Sequence, residues 1–224
     1  MANYEIEIKS LIGNRQKADE LISKMKASDP SFSFAGKHKQ LNHYFVGGGL
    51  KTLEEKILAH LPSDKREQFQ ELIKQAKDFS VRTRWADGKV IFVVKATVDD
   101  TTSSNGTARR EFESEVDLTI EELDQILLDS GFEYQAKWSR EREEYRYKRL
   151  NVTIDKNGGY GYLSEFESVI DDPAQADSIK EMIRRTMSDL GIAELPQDRL
   201  ARMFDFYNTH WQEYYGTDKV FTIQ

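Results

Sequence analysis

Residues 4–9 read Tyr-Glu-Ile-Glu-Ile-Lys. Strict alternation of charged and β-branched side chains suits one regular structure, a strand whose two faces differ in chemistry. On that strand Glu5, Glu7 and Lys9 share one face, and Ile6 and Ile8 share the other. Two carboxylates one step apart, followed by an ammonium, can hold a divalent cation and an anion bound to it. Hard cations take oxygen ligands and often share them with substrate phosphates. The solvated face of an antiparallel sheet shows the same alternation, so this stretch alone does not decide between the two.

The pattern returns along the chain. Arg82 and Arg84 share a face on one strand, and Lys95 follows on the next. Arg109, Glu111, Glu113 and Glu115 alternate on another strand, then Arg140 with Arg142, Asp155, and Glu165 with Glu167. The positions between them are apolar: Ile6, Ile8, Val81, Phe92, Val94, Phe112, Val152, Ile154 and Phe166. A merely wet face would more often carry Thr, Ser, Gln and Lys. Recurring Glu and Arg favour a closed antiparallel β-barrel, with apolar faces outward under helices and charged faces lining the bore. Closure removes the sheet edges. Buried like charges are costly, and opposite clusters in one bore compensate each other.

Between the strands, Asn14 caps a helix carrying Ala18, Leu21, Ile22 and Met25 at helical spacing. A second strand spans His38 to Val46 and ends at a glycine hinge, Gly47-Gly48-Gly49. Leu50 to Lys77 reads as two polar helical segments parted at Pro62-Ser63. Thr52 and Glu55 form a capping-box pattern, and Phe69, Leu72, Ile73 and Ala76 an apolar face. Because this pair interrupts a run of strands, it reads as an insertion at about 50–79, a helical lid or a surface or dimer element. Asp87-Gly88 marks a hairpin between strands at 80–85 and 90–98. A polar loop covers 99–107, followed by a strand at 108–116. Thr119 and Glu122 open a helix that Gly131 ends. Strands are expected at 138–150, 151–155 and 162–170, with a turn at Asn157-Gly158-Gly159. C-terminal helices fill about 173–215, the first opened by Asp172 and Pro173, the second spanning 197–214. The whole reads as one α+β domain, 1–224, with eight strands.

Composition narrows the function classes. Lys plus Arg number 32 against 39 Asp plus Glu, a formal charge of −7, whereas nucleic-acid binders carry a basic excess. There is no cysteine, which excludes disulfides, thiolate metal sites and a cysteine nucleophile. No apolar run approaches membrane-span length and no signal-peptide pattern opens the chain. A cytoplasmic protein without membrane or nucleic-acid partners is expected. His38, His43, His60 and His210 are not paired at metal-ligand spacing and read as surface or core residues. The aromatic run Phe204, Phe206, Tyr207, Trp211, Tyr214 and Tyr215 reads as core or dimer packing, which leaves a homodimer open.

Together these stretches resemble the CYTH-domain family of triphosphate tunnel metalloenzymes, from Glu5 to about Glu167. The E-x-E-x-K signature is matched by Glu5, Glu7 and Lys9, and a second-strand pattern by Gln40, Tyr44 and Phe45. Arg82 and Arg84 match R-x-R, with Lys95 on the next strand; Arg109, Glu111 and Glu113 match R-x-E-x-E. Gly161, Glu165 and Glu167 match G-x-x-x-E-x-E, with Asp155 before them. Three features depart from the pattern. Arg140 and Arg142, near Lys137, stand for a Lys-x-Arg pair. The insertion is extra. Ser80 occupies the position where the animal thiamine triphosphatases carry tryptophan, which argues against thiamine triphosphate.

The resemblance implies an eight-stranded tunnel that binds a triphosphate-containing small molecule with Mg²⁺ or Mn²⁺. Glu5, Glu7, Glu165 and Glu167 are then the metal ligands with Asp155 in support, and Glu111 and Glu113 hold a second metal or orient basic side chains. Lys9, Arg82, Arg84, Lys95, Arg109, Arg140 and Arg142 grip phosphate, and Lys9, Glu5 and Glu7 are the catalytic group. Arginine and lysine supply fixed donors for phosphate oxygens, and cations offset the charge that develops in phosphoryl transfer. Water attacking the terminal phosphorus gives a triphosphatase. A ribose 3′-hydroxyl attacking the α-phosphorus gives a class IV adenylyl cyclase. A non-catalytic polyphosphate- or nucleotide-binding module is the third reading, and the acidic pairs count against it.

Overall fold

The computed structural model describes residues 4–97, 109–170 and 172–223. Among them run eight strands: β1 (Tyr4–Gly13), β2 (Ser33–Gly47), β3 (Asp78–Ala86), β4 (Lys89–Thr97), β5 (Arg109–Val116), β6 (Phe132–Tyr147), β7 (Leu150–Asn157) and β8 (Gly161–Ile170). Six helices accompany them: α1 (Arg15–Ser28), α2 (Leu50–Ile57), α3 (Ser63–Gln75), α4 (Ile120–Asp129), α5 (Ala176–Asp189) and α6 (Gln197–Tyr214). The class is α+β. The strands form one sheet in the order β1-β8-β7-β6-β2-β3-β4-β5, antiparallel from β1 through β6 and from β2 through β5.

β1 and β5 end this order, and no ladder joins them among the described residues. The hydrogen bonds among the described residues therefore link eight strands in one sheet without closing it into the expected barrel. The free edge of β1 is covered by the segment between α5 and α6: Leu195 donates its N–H to the Lys9 carbonyl at 2.7 Å, and Ser10 Oγ donates to the Ala193 carbonyl at 2.6 Å. Covering an edge in this way satisfies groups that would otherwise recruit another strand.

The chain packs as two compact units, Gln40–Trp138 and the residues on either side of that stretch. In the flanking unit, α1 and α5 cover the apolar face of β1, β8, β7 and β6. Ile8, Val152, Ile154 and Phe166 meet Ala18, Leu21, Met25, Ile183 and Met187 there, all buried. Asn14 caps α1 as expected, its side chain accepting the Lys17 N–H at 3.0 Å. Gly161 has φ +72°, and a Cβ there would lie 2.8 Å from the Gly13 carbonyl; only glycine allows β1 and β8 to close this corner.

In the central unit, α2, α3 and α4 cover β3, β4 and β5. Leu53, Ile57, Phe69 and Leu72 pack with Val81, Phe92, Val94 and Phe112. Leu53, Ile57 and Phe69 are fully buried. The expected insertion is thus a layer of this core, and lifting it as a lid would expose that layer to water. The expected cap at Thr52 is corrected. α2 begins at Leu50 after Gly49, and Thr52 lies inside the helix, because Leu50, Leu53 and Ile57 must all face the core. Gly48, at φ +62°, lies against the Phe132 ring where any side chain would collide. The Asp87-Gly88 hairpin turns through two positive φ angles, +49° and +90°, and the Thr119–Glu122 capping box is formed. The expected loop at 99–107 and the start of its following strand lie outside the described residues.

Candidate active site

Residues directly opposite on neighbouring strands place their side chains on the same face. In the flanking unit Glu7 stands opposite Glu167, which stands opposite Asn151; Lys9 stands opposite Glu165, which stands opposite Thr153. Arg142 stands opposite Asp155. These residues form a polar face whose reverse is the core described above.

The charges on this face are paired. Arg142 holds Asp155 with two donors, Nε to Oδ1 at 2.7 Å and Nη2 to Oδ2 at 2.6 Å, and Nη2 also donates to Glu165 Oε2 at 2.8 Å. Arg140 Nη1 reaches Asp155 Oδ2 at 3.3 Å. Lys9 Nζ lies 3.2 Å from Glu165 and 2.5 Å from Glu7. Burial alone would raise the Glu165 pKa, but Lys9, Arg142 and Arg140 outweigh it and hold the carboxyl below the ordinary value. Burial pulls the Lys9 pKa down, and Glu165 and Glu7 more than restore it. Lys9 therefore stays an ammonium at neutral pH. Asp155 is only 1% exposed and accepts from both arginines, whereas Glu165 accepts from Arg142. Among the described side chains of this face, Glu7 is the exposed carboxylate, its side chain 46% exposed.

In the central unit the polar face carries Arg82 opposite Tyr44 and Arg84 opposite Asn42. Arg84 donates to Asn42 Oδ1 and to Glu113 Oε1, both at 3.0 Å. Arg82 Nη1 donates to the Tyr44 hydroxyl at 3.3 Å, and its guanidinium carbon lies 5.1 Å from the Tyr44 ring centre. Its Nε is buried without a hydrogen-bond acceptor among the described residues. Lys95 is half-buried opposite Ser80 and Glu111.

The sequence-expected site residues thus fall on two polar faces, one in each unit. The side chains of Glu5, Arg109 and Glu111 lie outside the described part; register places Glu5 opposite Val169, Arg109 opposite Thr97 and Glu111 opposite Lys95. Among the described residues, no three carboxylate or histidine side chains gather closely enough to hold a metal ion. Two residues escaped the sequence reading. Asn151 shares the row of Glu7 and Glu167, and its Oδ1 is buried with no hydrogen-bond partner among the described residues. Asp124 lies on the reverse face of the central unit, 2% exposed. Its one sequence signal is a charge among Ile120, Leu123 and Leu127 on the buried stripe of α4.

A family model of the CYTH domain matches residues 68–199. The chain belongs to the CYTH-domain family. The matched segment holds both arginine pairs, Asp155, Glu165 and Glu167, and begins after β1. No curated protein matches the chain. Among solved structures, the PH1819 protein of Pyrococcus horikoshii OT3 is 21% identical with a TM-score of 0.55, covering 87% of this chain and 94% of its own. A putative adenylate cyclase of Vibrio parahaemolyticus is 13% identical at TM-score 0.54, covering 88% and 95%. A putative adenylyl cyclase of Hippeastrum, described as having a dominant triphosphatase activity, is 16% identical at 0.51, covering 89% and 95%. At these identities the likeness is one of fold. No helix among the described residues is long and apolar enough to cross a membrane.

Proposed function

We propose that this CYTH protein is a divalent-cation-dependent enzyme that hydrolyses the terminal phosphate of inorganic triphosphate or of a nucleoside triphosphate. One observation carries the reading. Arg82 is held on a polar face beside Arg84 with a buried Nε–H that finds no acceptor among the described residues. A buried donor without a partner is costly, and a phosphate oxygen is the acceptor that an arginine pair recognises best. Closure of the eight strands into a tunnel belongs to the same proposal and is supported by the family.

The donor set suits a hard cation. Glu7, Glu167 and the orphaned Asn151 Oδ1 offer oxygens along one row, the ligand type that Mg²⁺ and Mn²⁺ take. Glu5, Glu7 and Glu167 would hold the ion, with Glu165 and Asp155 keeping Lys9, Arg140 and Arg142 in place beside it. Glu111 and Glu113 would serve the arginines of the central unit or a second ion. A bound cation would neutralise charge on the phosphoryl oxygens.

Lys9, whose pKa is raised, acts in this scheme as a fixed positive charge and not as a base. Arg82, Arg84, Lys95, Arg109, Arg140 and Arg142 supply the remaining phosphate grips. The water oxygen bonds to the terminal phosphorus, and the bridging oxygen leaves with the bonding pair. The water proton passes to bulk solvent, which reaches this face at Glu7. Cyclisation of ATP would use the same grips with a different nucleophile.

Turnover is expected to vanish in excess chelator and to return when Mg²⁺ or Mn²⁺ is restored, followed as phosphate release from inorganic triphosphate. Undiminished turnover in chelator would remove the cation from the scheme.

A further inference from the structure

We infer that Asp124 is a positioning residue: from behind the sheet it fixes the strand that presents Arg82 and Arg84 to the strand that carries their hydrogen-bond partners, and so sets their affinity for phosphate. The inference rests on the phosphate-binding role proposed for those arginines.

The argument starts from an anomaly of α4. Ile120, Leu123 and Leu127 make its buried stripe, and Asp124 lies within that stripe. A carboxylate buried among leucines is costly unless every lone pair is used. Here they are used. Asp124 Oδ1 accepts from Thr83 Oγ1 at 2.6 Å. Oδ2 accepts from the Tyr134 hydroxyl at 2.7 Å, lies 2.7 Å from His43 Nδ1, and stands 3.5 Å from Lys137 Nζ. Burial alone would raise the pKa of Asp124; its bonds with His43, Thr83 and Tyr134 outweigh this and keep it ionised.

The placement of these partners gives the network its consequence. His43 of β2 and Thr83 of β3 stand directly opposite each other in the ladder. His43 lies between Asn42 and Tyr44, and Thr83 lies between Arg82 and Arg84. Side chains alternate across a strand, so these four point to the other face. There Asn42 accepts from Arg84, and Tyr44 accepts from Arg82. One carboxylate thus pins β2 to β3 at the residue pair lying between the two arginine contacts. Tyr134 and Lys137 extend the clamp to β6. A small shift of β3 against β2 would move both guanidinium groups together.

The test uses the full chain with the single substitution Asp124→Asn, which keeps size and loses charge. Three readouts are followed: the arginine Nε–Hε NMR signals of Arg82 and Arg84 in the free protein, calorimetric affinity for inorganic triphosphate, and the unfolding midpoint. Both signals are expected to move, and affinity to fall on the order of tenfold or more, as small misplacements of binding groups do. In an Arg82→Ala background the same substitution is expected to cost much less, since coupled residues are not additive. Unmoved signals with unchanged affinity would overturn the inference. So would an equal loss in the Arg82→Ala background, which would mark general loosening. If Asp124→Asn does not fold, Thr83→Val, which removes one bond of the clamp, is judged by the same signals and affinities. If the unaltered protein binds no triphosphate, the phosphate reading fails, and the arginine signals alone decide whether Asp124 positions them.

Discussion

Replacing Arg142 by methionine is expected to lower the unfolding free energy by about 3–5 kcal/mol, the cost of removing one partner from a buried ion pair. The magnitude follows from what is left behind. Among the described residues, Asp155, 1% exposed, would keep only the 3.3 Å side-chain contact from Arg140. Glu165 would lose its 2.8 Å donor. Methionine fills the space, so the loss reports charge and not a cavity. The same network predicts acid lability. Burial raises the Glu165 pKa, but Lys9, Arg142 and Arg140 outweigh it, and the folded value lies below the ordinary 4.5. The stability that Glu165 contributes is then complete above its unfolded pKa and is lost as pH falls through the lowered folded value. Chemical denaturation from pH 7 to pH 3 is expected to show the wild-type advantage over Arg142→Met shrinking across the acid range. An advantage unchanged down to pH 3 would place the stabilisation elsewhere.

Arg82→Ala is expected to reduce kcat/KM for triphosphate by about 10²–10³-fold, the usual cost of one preorganised donor on a developing charge. Its unfolding midpoint is expected to stay close to that of the unaltered protein. Among the described residues the guanidinium makes one hydrogen bond, to the Tyr44 hydroxyl at 3.3 Å, and buries an Nε–H without an acceptor. Removing it therefore sacrifices little of the fold. Steady-state kinetics beside a thermal melt separates the two effects. Unchanged kinetics would return Arg82 to the role of an ordinary solvated side chain.

Where one strand face is apolar and the other charged, the sequence showed the polar face directly, because period two is visible in the letters. β1, the Arg82/Arg84 strand and the Glu165/Glu167 strand are of this kind. The Asp87-Gly88 hairpin, the Thr119–Glu122 cap and the bounds of α6 were equally local. β6 was not: it begins at Phe132, six residues before the expected start, and both its faces carry charge. Glu143 on its reverse face pairs with Arg15 at 3.0 Å and Lys37 at 3.3 Å, which erases the alternation. The turn after β6 was also hidden. Lys148 takes φ +53°, and its N–H is held by the Asp29 carboxylate from far away in sequence. The clamp on Asp124 was unreadable for the same reason, since its partners meet only after the strands and α4 have packed.

The most direct test of the proposed function is the identity of the products. The protein is incubated with Mg²⁺ or Mn²⁺ and, in separate reactions, inorganic triphosphate, ATP and other nucleoside triphosphates, and the phosphorus species are resolved by ³¹P NMR. The account predicts orthophosphate with pyrophosphate or a nucleoside diphosphate, at a rate that requires the cation. Cyclic nucleotide with pyrophosphate as the main products, or no turnover of any triphosphate with either metal, would contradict it.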